Sequence, residues 1–268
     1  VKRALAAIAI VAASCLAALD RKPWLGEPFV GEAEVSYTYS YFTQLHGATP
    51  PLRHSQFDEN LALNLPFVPW QYWEMEVEAE MASTSYLGWG YRSLALQLRY
   101  QFLDDVVGDW ISCTVGAYYR NVSSRMLEAV TTIYHGQQNF ELNFSLGKEW
   151  AKGRFWRYRT FLFEGVGCAT VGAPWSWTRL AGQRNFRDLV QISLYLDGYF
   201  GFGSQKSVKR LHFHGYGPIA HRSLLAGIQL DWKPISSSTF EIAYYRVFWA
   251  RSFPGQWNFF QLRYIYWF

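Results

Sequence analysis

The sequence predicts an all-β fold, a closed antiparallel transmembrane up-and-down β-barrel, most simply of twelve strands, with ten or fourteen as the alternatives. Three observations lead there. Apolar and polar residues alternate with a period of two through one segment after another, as in strands with one wet and one dry face. Aromatic residues make up 19% of the 268 residues and charged ones only 17%. That composition suits a wall facing lipid between two aromatic girdles, and it is poor in charge for a soluble surface. Finally, Trp257 to Phe268 alternates Phe260, Leu262, Tyr264, Tyr266 and Phe268 against Phe259, Gln261, Arg263, Ile265 and Trp267. A strand this apolar escapes edge-to-edge aggregation where closure removes the edge.

The elements follow in order. Phe29–Leu45 sets Ala33, Val35, Tyr37, Tyr39 and Tyr41 against Glu32, Glu34, Ser36, Thr38 and Ser40. Gly47, Pro50 and Pro51 mark a loop at 46–56. Leu61, Leu63 and Leu65 then oppose Asn60, Ala62 and Asn64, and Pro66–Pro69 reads as a tight turn. In Trp70–Ser85, Met75, Val77, Ala79 and Met81 alternate with Glu74, Glu76, Glu78 and Glu80. Leu94 to Phe102 and Ile111 to Arg120 alternate likewise, on either side of a turn at Asp104–Asp109. A longer loop, 123–138, carries a helical turn near 125–131. Phe140–Gly147 is a strand, Ala151–Gly153 turns, and 155–170 is a less regular strand with Phe161 and Phe163 opposite Glu164. Gly172–Asp188 reads as a second long loop. Strands follow at 190–197, 206–214, 224–232, 239–249 and 257–268, with Lys206–His214 the least regular. The glycines at 198, 201 and 203 lack a following helix and Lys, so they mark a bend or a close backbone approach.

The start of the chain adds a second signal. Lys2 and Arg3 precede the apolar run Ala4–Ala13, and small residues continue to Ala18. This is the plan of a secretory signal peptide at 1–18, and the run is too short to span as a helix. Ala12-Ala13-Ser14-Cys15 is a lipobox-like match, so Cys15 is either a lipidation site or a leader residue without a role. Strand parity puts Cys113 outward and Cys168 inward, so both are expected to be free thiols. No cysteine spacing suggests a metal site, no cofactor motif is present, and a net charge of +4 is too small to argue for nucleic acid.

The ending, a terminal Phe with alternating apolar residues before it, resembles the C-terminal signal of bacterial outer-membrane β-barrel proteins. The resemblance implies an outer membrane of the Gram-negative type, lipid as surroundings, and periplasmic chaperones and the barrel assembly machinery as partners. It divides the chain into a leader (1–18), a short periplasmic segment (19–28) and a barrel (29–268). Short connections near 67, 106, 152 and 235 would be periplasmic turns, and long ones near 50, 130 and 180 extracellular loops. Trp70, Trp73, Trp89, Trp110, Trp150, Trp156, Trp175, Trp177, Trp232, Trp249 and Trp257 fall near turns or strand ends, as interface belts require. A secreted β-sandwich would also alternate, but it would not expose Leu94-Leu96-Leu98-Tyr100-Phe102 while turning Glu and Arg inward.

The inner wall carries the candidate chemistry. Glu32, Glu34, Glu74, Glu76, Glu78, Glu80, Glu141 and Glu164, with Arg99, Arg120 and Arg263, are expected to face the lumen. They either line a narrow channel for small polar solutes or pair across it and fill it. Arg263 is expected opposite Glu32 or Glu34, where strands near 33–41 and 258–268 close the barrel. A catalytic reading rests on His221 and Ser223, two residues apart on one strand face. This resembles the His-x-Ser pair of outer-membrane phospholipases, but Leu224-Leu225 stands where that family has Asn-Gly. A lipid-modifying hydrolase is therefore the alternative to a channel, and a non-conducting structural or adhesive barrel acting through 123–138 and 171–188 is the third. His212 and His214 read as rim histidines rather than metal ligands.

Overall fold

The structure, a computed structural model, describes residues 21–153 and 155–268; the expected leader and Cys15 lie outside the described residues. Twelve strands among them form one closed antiparallel barrel. They are β1 (Glu32–Phe42), β2 (Gln56–Trp70), β3 (Trp73–Thr84), β4 (Gly90–Leu103), β5 (Ser112–Val122) and β6 (Gln138–Lys152). The second half comprises β7 (Phe155–Ala169), β8 (Trp175–Phe186), β9 (Val190–Gly201), β10 (Arg222–Ile235), β11 (Ser238–Arg251) and β12 (Asn258–Trp267). Each strand pairs with its neighbours in sequence, and β1 closes on β12 from Glu32 opposite Trp267 to Tyr41 opposite Asn258. Even β12, with 10 residues, is long enough to cross a hydrocarbon layer at a tilt.

The alternation explains the wall. On β3, Glu78 and Glu80 are 0% exposed while Met75 and Met81 are 50% and 49% exposed. On β4, Leu94, Leu96 and Leu98 point out, and Ala95, Gln97 and Arg99 are buried within. The apolar band is therefore the outside of the molecule, the inverse of a soluble protein. Trp70, Trp73, Trp110, Trp150 and Trp232 stand exposed near one end, and Trp89 and Trp249 near the other. The first end carries the short turns at 71–72 and 236–237 and the one that follows Lys152; the second carries the long connections 43–55, 123–137 and 202–221. A four-residue helix, α1 (Ser124–Leu127), sits in the middle one.

Several expectations are corrected. β2 runs through Pro66 and Pro69 and turns only at 71–72. The β1 ladder has ended opposite Asn64 and the β3 register slips between Phe67 and Trp70, so the proline positions lack a continuous partner on both sides. The expected long loop at 172–188 is mostly β8, while Lys206–His214 holds only the two-residue strand Val208–Lys209 and a 3₁₀ turn at Arg210–His212. One strand is gained and one lost, so the count stays at twelve; the third long connection is 202–221.

The faces of β7 and β8 also differ from expectation. Phe161, Phe163, Trp175 and Trp177 point inward and are buried, as is Trp257. Cys168 is consequently outward and exposed rather than inward, and Cys113 is buried; both are free thiols. Glu164, expected in the lumen, lies on the outer wall between exposed Leu162 and Val166, where it accepts a hydrogen bond from Thr178 Oγ1. A carboxylate there opposes burial in lipid. Glu164→Leu is expected to stabilise the barrel in vesicles by up to about 2 kcal/mol. A lower denaturant midpoint for that variant would contradict the outward placement.

Candidate functional site

The lumen is built from the inward faces of β2–β5 on one side and β7–β11 on the other, and the two sides differ. The first carries an ion-pair ladder. Nearest the turn end, Arg99 Nη1 donates to Glu74 Oε1 at 2.6 Å. Next, Asn64 Nδ2 donates to Glu76 and, at 3.3 Å, to Glu34 Oε2. At the centre, Arg120 pairs with Glu78 and with Glu80 at 2.8 Å, and it donates to Ser93 Oγ at 2.7 Å. Toward the loop end, Arg92 pairs with Asp58. Ladder position follows from register, since Glu74 and Arg99 face each other across β3 and β4, and Ala95 faces Arg120 across β4 and β5. At the closing seam Arg263 lies 3.4 Å from Glu34 and 3.6 Å from Glu241. Glu34 is thus the partner among the two expected; Glu32 is half-buried further toward the turn end.

The other side is largely aromatic and embeds Arg179, forked onto Asp197 at 2.8 and 2.7 Å. Glu141 reaches into the lumen and meets Asn143 Nδ2 at 3.4 Å, over a glycine at 165.

Both ends are closed. At the turn end, residues 21–26 enter the lumen, so the described part of the expected periplasmic segment fills the mouth. The wall holds this segment mostly by its backbone. Ser145 Oγ donates to the Arg21 carbonyl at 2.7 Å, Arg99 to that of Lys22, and Thr114 Oγ1 to that of Pro23 at 2.6 Å. Gly26 N donates to Glu74 Oε2 at 3.3 Å. Trp24 Nε1 donates to Asp105 Oδ1 at 2.9 Å, and its ring meets Phe161 edge-on. The Arg21 guanidinium lies 3.3 Å from the Trp177 ring centroid and 5.0 Å from that of Phe163, two cation–π contacts. Gly147 makes the room, since a Cβ there would lie 2.5 Å from Pro23 and 2.9 Å from Trp24.

At the loop end, connections 123–137 and 202–221 fold inward and pack with Phe42, Tyr245, Val247, Phe253, Trp257 and Phe259. They are joined through their backbones: Tyr216 N donates to Tyr134 O at 3.0 Å and Gly217 N to His135 O at 3.1 Å. Two histidines meet at this joint. His135 Nε2 lies 3.0 Å from His221 Nε2, and both rings are buried. Gly201 lies against His221, where a Cβ would come within 2.4 Å, so the expected close approach at the 198–203 glycines is real. The protons of the pair can be placed. Tyr199 donates its hydroxyl hydrogen to Ile133 O at 2.8 Å, so its oxygen accepts from His135 Nδ1 at 3.1 Å. His135 Nε2 is then bare and accepts from His221 Nε2–H, leaving His221 Nδ1 bare and without a partner.

Around the pair stand Trp175, stacked on His135 at 4.0 Å, with Tyr199, Tyr216 and Phe253. The Trp175 indole that stacks on His135 also hydrogen-bonds the Glu141 carboxylate. Burial, and then the neighbouring His221, hold His135 well below the usual imidazole range; burial holds His221 down to about 3.

Ser223 faces a cavity of about 30 Å³ shared with Asp197, Tyr199 and Trp257, room for a water or two. His221 Nε2 is engaged by His135 rather than by Ser223, and both residues lie inside the barrel, away from lipid. That is not the arrangement a lipid hydrolase needs. His212 and His214 are exposed in 202–221, and no cluster of three metal-ligating side chains occurs among the described residues.

No protein-family model matches the chain, and no curated protein matches it. Its fold is similar to that of solved barrels. An outer membrane channel from Pseudomonas putida F1 superposes with a TM-score of 0.65 at 11% identity, covering 93% of this chain and 100% of the other. The NanC porin gives 0.57 at 9% identity and the KdgM porin 0.51 at 9%, each covering 87% of this chain and 98% of the other. At such identities the likeness is one of fold.

Proposed function

We propose that the protein is a channel of the Gram-negative outer membrane, passing small polar solutes through a narrow charged lumen, and that the structure is its closed state. One observation carries the reading. The barrel wall is continuous, yet its lumen is closed at both ends by segments that belong to no barrel strand: residues 21–26, held mainly by hydrogen bonds to the wall, and connections 123–137 and 202–221, held by apolar packing and by backbone bonds to each other. A barrel built only as a scaffold needs no separable closures. When both closures move, the path that opens runs along the Glu74–Arg120–Asp58 ladder, whose alternating charges would favour small polar solutes over apolar ones. The fold shared with an outer membrane channel and two porins supports the reading, as does the terminal strand, which the assembly machinery would engage. In this orientation the turn end and residues 21–28 are periplasmic.

Deleting residues 21–26 is expected to enlarge the unitary current of the openings that occur, recorded from purified protein in planar bilayers. Replacing His135 and His221 with Ala in the same variant should make those openings frequent. A barrel that stays silent with both closures removed, while heat-modifiable migration shows it folded, would overturn the channel reading in favour of a structural one.

A further inference from the structure

Where the outer apolar band ends at the turn end, two neighbouring hairpins form a basic hollow of about 370 Å³ on the outside of the barrel. Four cations line it: Lys152 and Arg157 from the β6–β7 hairpin, Arg184 and Arg187 from the end of β8 and its turn. All four are exposed, and no ion pair joins any of them to a carboxylate among the described residues. The acids nearby are committed elsewhere. Glu149 pairs with Arg159 at 2.6 Å, and Asp188 lies 3.5 Å from Lys233.

The hollow is built rather than incidental. Arg157 sits where the β6–β7 register slips, between Trp150 opposite Tyr158 and Ala151 opposite Trp156. A bulge of this kind re-aims a side chain out of the regular alternation. Arg184 is held over two rings, 4.7 Å from the Phe186 centroid and 5.5 Å from that of Tyr158. Its guanidinium is thereby oriented while its N–H groups stay open to a forked acceptor. Tyr158 and Phe186 are exposed at the level where aromatic side chains meet headgroups, with Leu162 and Leu180 above them in the apolar band.

We propose that this hollow binds the phosphate of an anionic phospholipid, with acyl chains along Leu162 and Leu180 and the headgroup among Lys152, Arg157, Arg184 and Arg187. The assignment rests on the membrane orientation proposed above, which puts the turn end in the phospholipid leaflet. Clustered cations beside an apolar surface recognise such lipids, because the same ligand satisfies both. Lipid A offers the same phosphate chemistry, and the experiment separates the two.

Full-length protein is reconstituted in nanodiscs of phosphatidylethanolamine with a minor fraction of phosphatidylglycerol, and retained lipid is counted by native mass spectrometry. Phosphatidylglycerol is expected to be retained in preference. The Arg157→Gln/Arg184→Gln variant should retain it about thirtyfold more weakly, the loss expected of two surface cations beside an anionic headgroup. A control with Lys209→Gln and Arg210→Gln at the loop end should not change retention. Equal retention by wild type and the double variant, preferential retention of lipid A, or full displacement by millimolar inorganic phosphate would each overturn the proposal. Failure of the protein to insert into bilayers would instead overturn the outer-membrane reading, and heat-modifiable migration of every sample keeps the two apart.

Discussion

Arg120→Met is expected to lower the unfolding free energy by about 3–5 kcal/mol, the usual loss when one partner leaves a buried ion cluster. Arg120, Glu78 and Glu80 are each 0% exposed. The guanidinium is the shared partner of both carboxylates, which lie one strand period apart on β3. Without it, two neighbouring carboxylates face each other in a space closed to water. Adding Glu78→Gln and Glu80→Gln should recover most of the loss, because an uncharged cluster leaves nothing uncompensated. Denaturant unfolding in lipid vesicles, followed by tryptophan fluorescence, measures both. A loss below about 1 kcal/mol for the single variant would match an exposed pair and contradict the closed lumen.

The second large effect is one of pH. Acidification from pH 7 to pH 5 is expected to open the loop end. In the closed state His135 and His221 are neutral, with imidazole pKa values held below the ordinary range, His221 at about 3. Once 202–221 swings out, both rings meet water and return toward about 6.5. Above that value neither state is protonated and closure carries no penalty. Below it the open state binds protons that the closed state does not, so closure weakens as pH falls. His221 alone shifts the closed-to-open ratio about tenfold per pH unit from about 6.5 down to about 3, and His135 adds in the same direction. The geometry agrees: a proton added at His135 Nε2 would confront His221 Nε2–H, and one added at His221 Nδ1 would find no acceptor. Open probability in planar bilayers at pH 7 and pH 5 tests this. A His135→Phe/His221→Phe variant should keep the loop end closed at both, and an unchanged acid response in it would refute the role of the pair.

How far these features could be read beforehand depended on what each face packs against. β3, β4 and β5 have an apolar face outside and an ion ladder inside, so parity and polarity agree, and Glu74, Glu76, Glu78, Glu80, Arg99 and Arg120 all stand inward as their alternation implies. β7 and β8 break the correspondence. Trp175 and Trp177 point inward because His135 and Arg21 stack on them, and Ser176, Thr178 and Gly182 are left outside. That inverted pattern reads as loop, and with Phe161 and Phe163 turned inward Glu164 and Cys168 fall on the outer face. The closures were less legible still. Nothing local in Arg21-Lys22-Pro23-Trp24 announces that their carbonyls are acceptors for Ser145, Arg99 and Thr114, which come from distant strands. Gly147 was the available clue, a glycine in mid-strand whose missing side chain marks a close neighbour. The spacing of His221 to Ser223 points to the wrong partner, because His135, which it meets, lies in a connection that alternation does not describe.

The seam between β1 and β12 bears on how the molecule is made. Every other ladder of the barrel joins strands adjacent in sequence and can zip from its own turn or loop, but this one joins residues near 32–41 to residues near 258–267. Closing a loop of roughly 220 residues costs about 5 kcal/mol of chain entropy before its first contact forms, against little for a two-residue turn. The order of assembly follows: hairpins first, an open curved sheet next, and the seam last. Until then β1 and β12 are both bare edges, and the sheet is most prone to pair with the wrong chain. Substitutions that weaken the seam, such as Tyr37→Gly or Leu262→Gly, should therefore slow the final closing phase of refolding and lengthen the life of the open sheet.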